Sequence, residues 1–193
     1  FDVGHEVGKL AKKFFPKGIA IPFDRDKFME NIEQTVQLLK KRKILFEAGI
    51  QAGPISARAD VLKPVGKDEW DVIEVKSGTK VEEEHIQDVS FQRYVYEKAG
   101  LKINKCFLMH LDNEYVKKGN INVKKLFKIE DITEKVKAKE GIEEMIKVML
   151  EVMASKNCPD MKVGRQCRNP HPCTIEDCWK GFPKNNVFDL YGR

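Results

Sequence analysis

The 193-residue chain carries 35 Lys+Arg against 30 Asp+Glu, a formal charge of +5, and is 41% hydrophobic and 34% charged. That apolar content suffices for one buried core without disulfide staples, and its regular spacing excludes wholesale disorder. Mean hydropathy is −0.47, and no apolar run approaches the roughly 18 residues that read as a membrane span.

Residues 2–15 read as a helix, with Asp2 as N-cap and Val3, Val7, Leu10, Ala11, Phe14 and Phe15 as its apolar stripe. Pro16 and Gly18 stop it, and Ile19–Phe23 form a short extended bridge. Asp24 caps a second helix through about Lys41, with Phe28, Ile32, Val36 and Leu39 on one face. Three strand-like runs follow, Ile44–Gln51, Ile55–Leu62 and Trp70–Lys76, separated by Ala52-Gly53-Pro54 and the loop Pro64–Glu69. Turn signals of this kind predict a meander. Glu82-Glu83-Glu84 opens a helix that runs to about Lys98 and closes at Gly100. Ile103–Leu111 reads as a buried strand, Asn113–Val123 as a loop, Leu126–Ile129 as a short strand, and Asp131–Ala154 as a helix that Gly141 breaks or bends. The order predicts an α/β (α+β) domain with a mixed sheet flanked by helices over residues 1–156. Residues 157–193 read as an irregular, Cys-rich tail packed on that core. The chain begins at Phe1 without a signal-peptide pattern and is expected to be a fragment of a longer cytoplasmic protein.

The densest chemistry lies at Asp60 and Glu74-Val75-Lys76. Alternation along a strand puts Glu74 and Lys76 on one face and Ile73 and Val75 on the other. If the flanking runs pair, Asp60 comes beside Glu74. Two adjacent carboxylates repel, and a hard divalent cation, Mg²⁺ or Mn²⁺, relieves that repulsion. A lysine there orients or helps deprotonate an attacking water and stabilises charge on a phosphate. That set suits phosphodiester hydrolysis. As bare spacing, D-x13-E-x-K also fits a half-exposed hairpin whose polar face pairs Glu with Lys.

Four of the five cysteines, Cys158, Cys167, Cys173 and Cys178, cluster in the tail, with no Cys-x2-Cys pair. Pro170 and Pro172 keep the Cys167–Cys173 segment irregular. From spacing alone, an iron–sulfur cluster, a Zn²⁺ site and four free thiols all stay open. Cys106 sits in an apolar strand and reads as core. Lysines on the first helix (Lys9, Lys12, Lys13, Lys17), the run Lys40–Lys43 and the group Lys117–Lys128 suit phosphate contacts or plain solvated surface. No aromatic-rich ribbon for stacking single-stranded bases is evident.

Asp60 with Ile73-Glu74-Val75-Lys76-Ser77-Gly78-Thr79 resembles the PD-(D/E)XK nuclease signature in its RecB-like form. Gln92-Arg93-Tyr94-Val95-Tyr96 is similar to that branch's Q-x3-Y motif, and Gly4-His5 to its N-terminal histidine motif. The tail cysteines resemble the iron–sulfur staple of CRISPR-associated RecB-type exonucleases and of the AddB helicase–nuclease subunit. Phe1–Pro16, Ile73–Thr79, Asp88–Gln92 and Gly164–Trp179 look most like an uncharacterised bacterial domain family of this group. The resemblance implies a restriction-endonuclease-like core and DNA exonuclease activity. It implies metal ligation by Asp60, Glu74, the Val75 carbonyl and His5. Lys76 would serve the attacking water, while Gln92 and Tyr96 would position DNA or active-site groups. Glu47 is an auxiliary acidic candidate. The resemblance also implies a [4Fe–4S] cluster on Cys158, Cys167, Cys173 and Cys178, with Zn²⁺ as the alternative. Relatives commonly place the first cluster cysteine ahead of the core, so Cys158 or a cysteine upstream of Phe1 takes the fourth place. DNA, single- or double-stranded, is the expected partner, with other domains of the longer protein and no membrane. The competing readings are a catalytically inactive DNA-binding or scaffold module of a larger repair or defence protein, and a zinc-stapled interaction domain.

Overall fold

α1 spans Asp2–Phe14, and Val7 and Ala11, one helical turn apart, are its buried positions. The computed structural model describes residues 2–22, 24–168, 171–183 and 185–187. After α1 comes the two-residue strand β1 (Ile19–Ala20). The Asp24 carboxylate accepts the Asp26 N–H (3.0 Å), but it caps a 3₁₀ turn, and α2 begins only at Phe28 and ends at Leu39.

β2 (Leu45–Ala52), β3 (Ile55–Val65) and β4 (Glu69–Val75) form the antiparallel meander that the turn residues predict. Their pairing continues to Val65↔Glu69. The second hairpin turn is therefore tighter than the expected Pro64–Glu69 loop. α3 (Glu83–Lys98) crosses over to β5 (Lys102–Leu111), which pairs parallel with β4. A parallel neighbour needs such a long connection. Gly100, at φ +90°, takes the left-handed conformation that ends α3. The polar stretch after β5 carries a short helix α4 (Val123–Leu126), whose first N–H groups are accepted by the Asn122 side chain. β6 (Phe127–Asp131) pairs antiparallel with β5.

The expected Asp131–Ala154 helix is divided. Asp131 belongs to β6, and its carboxylate accepts the Thr133 N–H (3.0 Å) at the start of α5 (Thr133–Lys137). Gly141, at φ +77°, then interrupts the helical path before α6 (Ile142–Ala154).

The six strands lie in chain order in one mixed sheet flanked by helices. Apolar residues cover both of its faces. Leu45, Ala48, Leu62, Val72 and Leu108 pack with Val89, Val95 and Tyr96 of α3 in one layer. Phe46, Val61, Ile73 and Met109 pack with Val7 and Ala11 of α1 in the other. Each fully buried Val or Leu stabilises the fold by about 1.5–3 kcal/mol. The chain divides into two compact units, residues 1–144 and 145–193, and the second begins inside α6. Among its described residues the second unit contains two 3₁₀ turns, Arg165–Cys167 and Glu176–Trp179. No helix among the described residues is long and apolar enough to cross a membrane.

Candidate active site

Side-chain alternation slips by one residue at the same place in β2 and β3. Leu45 and Phe46 lie in opposite layers, as neighbours should, but Ala48 returns to the layer of Leu45. In β3, Leu62 and Val61 alternate, and Ala59 returns to the layer of Leu62. The residues between are Glu47 and Asp60. Because both strands slip together, the register Phe46↔Val61 resumes as Ala48↔Ala59. Glu47 pays for this locally with φ +56°, a left-handed conformation that costs a non-glycine residue about 1–3 kcal/mol. The Tyr96 hydroxyl enters the same gap. It accepts the Ala59 N–H (3.0 Å) and donates to the Ala48 carbonyl.

The slip aims Asp60 at the end of β4. Its Oδ2 accepts the Val75 N–H at 2.8 Å, and the register Val61↔Ile73 makes Glu74 its cross-strand neighbour. Burial, and then the Glu74 charge, push the Asp60 carboxyl from 3.8 up to about 7. Glu74 is buried, and both its oxygens are engaged. Gln92 Nε2 donates to Oε2 (2.8 Å), and Lys76 Nζ lies 3.1 Å from Oε1. The Lys76 ammonium also donates to Asp88 on α3 (2.8 Å). Burial disfavours its charge, but Glu74 and Asp88 outweigh that and push it up to about 12. Lys76 therefore stays protonated at neutral pH, which suits charge stabilisation and orientation rather than proton abstraction.

Asp60, Val75 and Lys76 line a cleft of about 730 Å³, which α1 closes on the other side with His5, Lys9 and Lys12. Glu47 and Arg58 complete it. Glu47 pairs with Lys12 (3.0 Å) and Arg58 (3.4 Å), tying α1 to the sheet.

The expected residues thus divide into three groups. Asp60, Glu74, Lys76 and Gln92 are connected by the contacts just described. His5 lines the same cleft from exposed α1. Tyr96 is fully buried, and its hydroxyl serves the backbone of β2 and β3. Burial pushes its phenol upward, so it stays protonated. His85 accepts the Glu82 N–H (3.1 Å) at the start of α3, and His110 faces Glu130 (2.8 Å). Neither borders the cleft.

Two participants escaped the sequence reading. Asp88 lies four residues before Gln92, hence on the same helix face, and that spacing was a usable signal. Arg58 carries no motif, and nothing in the sequence singles it out.

The tail cysteines lie in the second unit. Cys167 is half-buried, whereas Cys158, Cys173 and Cys178 are exposed, and none of the four is joined in a disulfide. The Cys173 N–H donates to the Cys167 carbonyl (2.8 Å), closing the loop between them. Trp179 packs against Phe182 (ring centroids 5.9 Å apart), with Arg168 over the Trp179 ring. Among the described residues, no three His, Cys, Asp or Glu side chains form a ready metal-holding group. Compared with known proteins, the chain matches no family model and no curated protein.

Proposed function

We propose that the chain is a metal-dependent nuclease of the RecB-like PD-(D/E)XK group, with a restriction-endonuclease-like core, hydrolysing DNA phosphodiester bonds as an exonuclease. The observation that carries this reading is that Asp60 and Lys76 line one cleft with Glu74 buried directly behind them, 3.1 Å from Lys76, and with the Asp60 carboxyl displaced to about 7.

The donor set fits a hard divalent cation. Asp60 and Glu74 are neighbouring carboxylates whose like charges oppose one another, and a cation removes that penalty. Mg²⁺ keeps several waters and needs only one or two protein carboxylates. The carboxamide oxygen of Gln92 is buried without a partner among the described residues, an acceptor suited to such a hydration shell. Asp60 and Glu74 would hold the ion, with the Val75 carbonyl and His5 as further ligands. When bound, Mg²⁺ or Mn²⁺ supplies Lewis acidity toward a phosphoryl oxygen and a more acidic water.

The chain's own groups do the rest. Gln92 fixes the orientation of Glu74, and Val75 N–H fixes Asp60. Lys76, held by Asp88, presents a permanent positive charge to a phosphate. Lys9, Lys12 and Arg58 extend that charge along the cleft. The tail cysteines enter this proposal as a structural [4Fe–4S] or Zn²⁺ staple, supported by their soft thiol chemistry and the closed Cys167–Cys173 loop. Absorbance near 400 nm on anaerobic protein separates the two, because Zn²⁺ is colourless.

Cleavage of end-labelled single- and double-stranded DNA with Mn²⁺, with EDTA and with Asp60→Ala tests the activity. Loss of about a thousandfold or more in both the EDTA and Asp60→Ala arms is expected. A folded, metal-binding chain that cleaves neither substrate would replace this reading with the non-catalytic DNA-binding module.

A further inference from the structure

The Glu47–Arg58 pair is not the end of the cleft but a shared wall. Beyond it lies a recess of about 200 Å³ bounded by the same two residues. Pro22, Phe28 and Ile32 give the recess apolar walls. Phe28 begins α2 yet remains 37% exposed, so its ring is only partly used by packing. Gly49 lets α2 lie close to β2 here, since a Cβ at that position would come within 3.1 Å of Ile32. Asn31 and Ser56 add polar groups, and the Asn31 amide is fixed by its donation to the Asp24 carbonyl (3.1 Å). The recess therefore combines apolar walls, one open aromatic ring, two short polar side chains and a guanidinium at its mouth.

We propose that this recess receives one nucleobase of the bound strand while the adjoining phosphate rests on Arg58. The inference builds on the nuclease reading and specifies how that site takes its substrate. A base has apolar faces and polar edges, the complement of this lining. Stacking on Phe28 is tolerant of sequence because every base has a π-face. A base can enter only when unstacked and unpaired, so the strand must be single or frayed at its end. Arg58 is kept at the mouth by Glu47, whose second partner, Lys12, comes from α1. Glu47, whose backbone is left-handed (φ +56°), lies at this same wall with its carboxylate paired to both cations.

The test is equilibrium binding, by fluorescence anisotropy in EDTA, of single-stranded oligonucleotides carrying one abasic site at successive positions. The wild-type chain is expected to lose about tenfold in affinity when the abasic site falls at one particular position. Phe28→Ala should lose the same factor on the intact oligonucleotide and then be indifferent to that abasic site. Ser56→Phe, which fills the recess from an exposed strand position, should behave in the same way and serves if Phe28→Ala does not fold. Binding without any position-dependent loss, or equal losses in wild type and variants, overturns the recess inference and leaves the nuclease reading standing. Failure of every oligonucleotide to bind in EDTA overturns the recess inference, and cleavage with Mn²⁺ decides the nuclease reading separately.

Discussion

Residues 1–144 and 145–193 hold themselves together by different means. In the first unit both faces of a six-stranded sheet are covered, and more than a dozen apolar side chains are almost wholly buried. In the second, α6 leaves Met149 and Met153 54% and 79% exposed, and the described residues of the tail show 3₁₀ turns, a backbone hydrogen bond from Cys173 to Cys167 and an aromatic pair. The lesson is that a site needing fixed carboxylates sits where packing over-determines the backbone. Cysteines, by contrast, can sit where a bound ion or cluster would supply the order.

The largest effect expected from this contrast is on stability. Leu108 is fully buried in β5, and Leu108→Ala should cost about 2–5 kcal/mol in urea unfolding. Met153→Ala should change it by no more than about 0.5 kcal/mol. A comparable cost at both positions would mean that α6 has a covered apolar face and that the contrast fails.

A second, smaller effect isolates the carboxylate pair. Between about pH 4 and pH 7, folded Asp60 keeps a proton that the unfolded chain has released. Wild-type stability should therefore fall as pH rises through that window and level off above it. Asparagine retains an acceptor for the Val75 N–H without the charge. Asp60→Asn is expected to raise the Tm by about 3 °C or more at pH 8, with the gain vanishing near pH 4. Saturating Mn²⁺ should narrow the gap at pH 8 by stabilising wild type alone. Equal Tm values at pH 8 would place Asp60 in an ordinary solvated setting.

How much of this was legible follows from the range of each interaction. The meander was readable because Gly53-Pro54 and the Gly66 turn separate runs of period two, and pairing those runs brings Asp60 to Glu74. Gln92 was legible through the motif it resembles, and Asp88, four residues earlier on the same helix face, was missed although its spacing from Gln92 offered a signal. The Tyr96 hydroxyl was not, because its partners Ala48 and Ala59 lie 48 and 37 residues away and contribute only backbone atoms. Nor was the slip at Glu47 and Asp60. Side-chain periodicity in Leu45–Ala52 and Ile55–Val65 reads as a regular strand on either side of it, and glutamate gives no sign of a positive φ. The division of the last helix fell between these cases. Gly141 marked a break, but the assignment of Asp131 to a strand depended on its pairing with Phe107.

The smallest expected effect concerns that slip, and its sign is what matters. Glu47→Ala and Glu47→Gly both remove the ion pairs to Lys12 and Arg58, so the difference between the two variants isolates the backbone. In an ordinary strand, glycine is the less stable of the two by about 0.5–1 kcal/mol, because its unfolded chain has more freedom to lose. At φ +56° the order should reverse, since alanine still carries the steric penalty of the left-handed region and glycine does not. Glu47→Gly is expected to be more stable than Glu47→Ala by about 1 kcal/mol in urea unfolding. If alanine proves the more stable, the backbone at residue 47 is ordinary extended chain. The coupled slip that aims Asp60 at β4 would then need another origin.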